Sequence, residues 1–84
     1  MNSNAVVDEG LALRTGAWPS MRARQVLASL HRLGWTIKRS TGSHRVLAQP
    51  GWSNVVFAFH DREEIGPRML ARIARSTGLK PGDL

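Results

Sequence analysis

The sequence predicts an α+β domain of order α-β-β-β-α: a three-stranded antiparallel sheet with two helices on one face. Three observations lead there. Apolar residues recur at helical spacing near each end of the compact part: Ala23, Val26, Leu27, Leu30 and Leu33 first, then Leu70, Ile73 and Ala74. Between them lie three strand-like segments separated by turn signals at Gly42 and at Pro50-Gly51. Connections this short join antiparallel neighbours, so the segments form a meander. Two helices on one sheet face is the simplest way to bury both stripes.

Residues 1–20 read as a flexible N-terminal extension, polar at Met1–Asn4 and punctuated by Gly10, Gly16 and Pro19. The compact domain is expected over residues 21–84. Ser20 is a suitable N-cap for a first helix from Met21 to Leu33, and Gly34 suits the left-handed position that ends it. The first strand is expected over Trp35–Arg39, with a turn over Ser40–Ser43. The second strand is expected over His44–Gln49 and the third over Asn54–His60. In the third, Val55, Phe57 and Phe59 share one face and Val56, Ala58 and His60 the other. Asp61–Gly66 is a polar loop. Pro67 fits the first position of a second helix that runs to Thr77, and Gly78 ends it.

The chain carries a net charge of +6. From Arg22 onward, eleven cations face only four acids, so the positive field belongs to the compact part. Such a field attracts polyanions, nucleic acid foremost. Ten of the twelve cations are arginines, whose planar fork suits phosphate better than an ammonium does. The absence of cysteine excludes disulfides and thiolate zinc sites, and it accords with a cytoplasmic location. No apolar run is long enough to span a membrane.

P-loop, GxGxxG and HExxH motifs are absent, and three of the four carboxylates of the compact part crowd into residues 61–64. Three histidines remain as acid–base resources. His44 follows Gly42-Ser43 at the start of the second strand, flanked by Arg39 and Arg45. One reading is an ordinary hairpin turn with an exposed histidine. The other is a phosphate site: Gly42 lets backbone approach, Ser43 donates a hydrogen bond, the arginines stabilise charge, and an imidazole with an ordinary pKa of about 6.5 exchanges the proton. His60 ends the third strand: it reads either as an ordinary strand-end histidine or, since that end lies near the start of the second strand, as a neighbour of His44 on an RNA-binding surface. His31 reads as boundary packing on the first helix. Trp52 either stacks on a base or folds back over the sheet. No metal-ligand spacing is present, so neither a metal nor another cofactor is expected.

Taken together, these residues resemble the HicA family of toxin ribonucleases. The matching pattern is Leu33-Gly34-Trp35, Arg39, Gly42-Ser43-His44, Phe59-His60, Ile65-Gly66-Pro67 with Leu70 and Ile73, and Gly78-Leu79, over about residues 21–79. The family often has proline where this chain has Ala58. The resemblance implies a fold like double-stranded-RNA-binding domains and metal-independent cleavage of mRNA. It also implies neutralisation by a HicB-type antitoxin, with His44 as the catalytic histidine. The runner-up is a module that grips structured RNA without cutting it.

Overall fold

The computed structural model describes residues 17–84. Residues 1–16, most of the expected extension, lie outside the described residues. The elements are β1 (Met21–Arg22), α1 (Ala23–Arg32), β2 (Thr36–Thr41), β3 (His44–Ala48), β4 (Val55–Ala58), β5 (Glu64–Ile65) and α2 (Pro67–Thr77), with a final 3₁₀ turn at Pro81–Asp83. The α-β-β-β-α order holds, and β2-β3-β4 form the antiparallel sheet.

Helix α1 starts later than the sequence suggests. Met21 and Arg22 are not its first turn. They pair as β1 with Ile65 and Glu64 of β5. Arg22 takes the N-cap position without a side-chain cap, and Ser20 is exposed. The leading helical N–H groups instead reach the loop before β5: Ala23 N donates to Glu63 O at 2.8 Å and Arg24 N to Asp61 O at 3.0 Å. Those carbonyls satisfy donors that a capping serine would otherwise serve. At its other end α1 stops as expected. Gly34 adopts φ +106°, Gly34 N donates to His31 O and Trp35 N to Leu30 O, the paired bonds of a Schellman motif.

The core lies between the helices and one face of the sheet. Val26 and Leu30 of α1, Leu70 and Ile73 of α2, Leu47 of β3 and Phe57 of β4 are buried in it. Trp35 is 1% exposed, and its indole N–H donates to Thr77 O at 3.1 Å. Thr77 Oγ1 donates to Ile73 O at 2.8 Å and accepts from Leu79 N at 3.2 Å, so this buried hydroxyl ties the end of α2 to the following segment. Ser29, off the predicted stripe, is also buried, with Oγ accepting from Arg32 at 2.9 Å. Trp18 is a further departure. It precedes the expected start of the domain at residue 21, yet it is 4% exposed and part of the core. An indole buries too much apolar surface to be left in water when a packed site is within reach.

The first hairpin is tighter than expected and the second wider, since β3 ends at Ala48 and β4 begins at Val55. β2 extends to Thr41, which pairs with His44, leaving only Gly42 and Ser43 as the loop. Gly42 has φ +59° and no non-glycine residue among the described ones has positive φ, the pattern of a type II′ turn with glycine first. The second turn closes with Trp52 N donating to Gln49 O at 3.1 Å, around Pro50 and Gly51 (φ +83°).

Candidate functional site

Side chains alternate across a strand, so the ladder register decides which candidates meet. Arg45 opposes Phe57 and Leu47 opposes Val55, on the buried face. His44 opposes Ala58 and Val46 opposes Val56, on the face the helices leave open. His44 is exposed, at the turn edge of that face. Among the described residues no group hydrogen-bonds its imidazole. Ser43, half-buried, precedes it directly in the turn.

Arg39 reaches the open face through an irregularity that periodicity does not reveal. Ile37 pairs with Leu47, but the register shifts at Lys38 and Arg39 pairs with Val46. One extra residue thus turns Arg39 from the core side to the side of His44. Lys38 and Arg39 together border a small hollow with Val46 and Asn54. The open face therefore carries two exposed cations and an exposed imidazole.

Arg45 is not among them. Its guanidinium contacts Asp61 Oδ1 at 2.8 Å and donates to Phe59 O at 3.5 Å, on the opposite face of β3. The alternation of neighbouring strand residues separates it from His44. Its side chain is 19% exposed and anchors the loop that also caps α1. His60 lies beyond the last ladder pair, since β4 ends at Ala58. The register thus brings Ala58, and not His60, across from His44. His60 is exposed; its backbone N donates to Glu63 Oε1 at 3.2 Å and its carbonyl accepts from Glu63 N at 2.9 Å. The remaining histidine, His31, sits with Nδ1 3.2 Å from Trp35 O at the end of α1, away from the turn of β2 and β3.

Trp52 folds back over the end of the core. Its ring meets Trp35 edge-on at 5.6 Å, and a Cβ on Gly78 would lie 2.9 Å from Trp52 Cη2. Even so it stays 47% exposed. It heads a groove of about 600 Å³ between β4 and α2, floored by Phe59, Met69 and Ile73 and bordered by Arg72 and Arg75. This groove has no separate signal in the sequence beyond the shared helical side of Arg68, Arg72 and Arg75.

Among the described residues, no three His, Asp or Glu side chains gather as metal ligands. None of the described helices is long and apolar enough to cross a membrane. A family model described as the HicA toxin of bacterial toxin–antitoxin matches residues 23–79. No curated protein and no solved structure matches the chain.

Proposed function

The chain belongs to the HicA toxin family, and we propose that it acts as an endoribonuclease that binds and cuts mRNA with His44 as general acid–base, without a metal. The observation that carries this reading is the exposed imidazole of His44, unbonded among the described residues, beside Ser43 and on the same sheet face as Arg39.

RNA cleavage needs little machinery because the nucleophile is in the substrate. His44 takes the proton from a 2′-hydroxyl, whose oxygen attacks the adjacent phosphorus. The phosphorane gathers negative charge, which Arg39 offsets and to which the Ser43 hydroxyl donates. The bond to the 5′-oxygen then breaks, that oxygen takes up the proton now held by the His44 imidazolium, and a 2′,3′-cyclic phosphate remains on the other fragment. Gly42, with φ +59°, lets the chain turn tightly between Thr41 and His44 and so sets Ser43 and His44 at the turn. His60, beyond the end of β4, and Lys38, next to Arg39, extend the surface that holds the RNA strand. Arg45 serves the fold through Asp61 and stands outside this arrangement.

A toxin of a toxin–antitoxin pair is held in check by a partner. We take that partner to be a HicB-type protein that covers the His44 turn, in the bacterial cytoplasm. The experiment is induced expression of the wild-type chain beside His44→Ala, scored for growth and RNA integrity. Growth arrest with RNA breakdown in the first and neither in the second is the expected result. Equal breakdown in both would remove His44 from the mechanism.

A further inference from the structure

The sheet has two edges, and they differ in how they meet solvent. Edge strand β2 carries a bulge and the cations Lys38 and Arg39, devices that discourage another strand from pairing. Edge strand β4 has none of them. Its sequence is Val55-Val56-Phe57-Ala58, without charge, proline or bulge, and Val56 is 63% exposed. Alternate N–H and C=O groups of such a strand point away from β3 and find no strand beside them among the described residues.

The unguarded edge opens directly onto the groove under Trp52. Its floor is apolar at Phe59, Met69 and Ile73, and its rim carries Arg72 and Arg75. Those two arginines are exposed, and among the described residues the sole ion pair is that of Arg45 with Asp61. Free backbone groups, an apolar trough and a cationic rim suit one kind of ligand together. An added strand satisfies the backbone and turns every second side chain toward α2, so that on this one face apolar side chains fill the trough and carboxylates beside them meet the rim. A nucleic acid meets the rim alone and leaves Val56 and the strand edge uncovered.

We propose that β4 is the docking edge for an extended acidic segment of the antitoxin, which adds to the sheet as a fourth strand. The inference rests on the toxin–antitoxin family and not on the ribonuclease mechanism. Ala58 of this edge stands opposite His44. A strand added there lies two strand spacings from β3, roughly 10 Å, so the partner arrives beside the candidate site without needing to bind it first.

The test uses the full chain carrying His44→Ala, so that cleavage plays no part. The probe is a synthetic peptide of about eight residues, a common strand length, with threonine along one face and, along the other, two valines flanked by glutamates. Amide chemical shifts of Val55–Ala58 are followed by NMR during titration. The expected result is perturbation of those amides, with binding weakened roughly tenfold or more by peptide N-methylation in one of the two alternate registers. The exposed double variant Arg72→Glu/Arg75→Glu is expected to weaken it roughly tenfold, and the same peptide with lysines in place of its glutamates to bind no better than that. Silence at those amides, indifference to N-methylation in both registers, or equal binding of the lysine peptide overturns the proposal. So does movement of the same amides with oligouridylate, which assigns the edge to RNA. Movement with rising concentration of the chain alone assigns it to a second copy and likewise overturns the proposal. None of these results depends on whether the wild-type chain cuts RNA, which the growth and RNA assay reads separately.

Discussion

Arg39 stands across the ladder from Val46, one residue out of step with a regular strand, because β2 bulges at Lys38. That step puts Arg39 on the face of His44, while Arg45, adjacent to His44 in sequence, points to the other face and pairs with Asp61. The two arginines that flank the turn therefore have different duties. Arg39→Ala is expected to weaken single-stranded RNA binding and to reduce the log–log salt slope by about 0.7, the value of one lost phosphate contact. Arg45→Ala is expected to leave that slope unchanged. Fluorescence anisotropy across a salt series reads both. A larger change from Arg45→Ala would contradict the division.

Gly42 is needed for its backbone conformation, not for space. With φ +59° and nothing within 4 Å of an added Cβ, Gly42→Ala meets strain without a clash. The expected cost is about 1–3 kcal/mol in denaturant unfolding, because the first central position of a type II′ turn lies in a mirror-β region that only glycine enters freely. Full stability in Gly42→Ala would show that the turn relaxes to another type.

Thr77 illustrates a buried polar group whose removal leaves a donor stranded. Its Oγ1 accepts the Leu79 N–H at 3.2 Å, and the residue is 2% exposed. Thr77→Val keeps the shape and deletes the acceptor. The expected loss is about 1–3 kcal/mol, the cost of leaving a buried amide unpaired. Thr77→Ser keeps the acceptor and should retain most of that stability.

Trp18 lies outside the matched family segment of residues 23–79 but inside the core. Trp18→Ala is expected to cost about 3–5 kcal/mol, as for other buried aromatics. A chain begun at Met21 should lose stability for the same reason. Thermal unfolding of the three proteins checks this, and equal melting temperatures would show that Trp18 adds nothing.

Much of the fold is legible in the sequence because its signals are local. Pro67 and Gly78 bracket α2, Gly34 ends α1, and the alternation in Val55–Ala58 assigns faces correctly. What escapes is non-local. The pairing of Met21–Arg22 with Glu64–Ile65 joins segments over forty residues apart, and two residues carry no periodicity. The capping of α1 by Glu63 and Asp61 carbonyls has the same origin, which is why Ser20 resembles a cap in the sequence and is none in the fold. At the site, His44, Ser43 and Arg39 stand out by residue type and motif alone. Nothing local reveals the bulge that unites Arg39 with His44, or the Asp61 contact that withdraws Arg45.

The central claim is that His44 performs acid–base chemistry on RNA and contributes nothing to the fold. It is exposed and unbonded among the described residues, so removing its ring should cost no packing. The decisive measurement is single-turnover cleavage of a defined single-stranded RNA by purified wild type and His44→Ala, in EDTA, with circular dichroism and thermal unfolding of both. The account predicts a rate lower by roughly 10²- to 10⁴-fold in His44→Ala, with unchanged spectra and melting temperature. Cleavage by folded His44→Ala at the wild-type rate would contradict it.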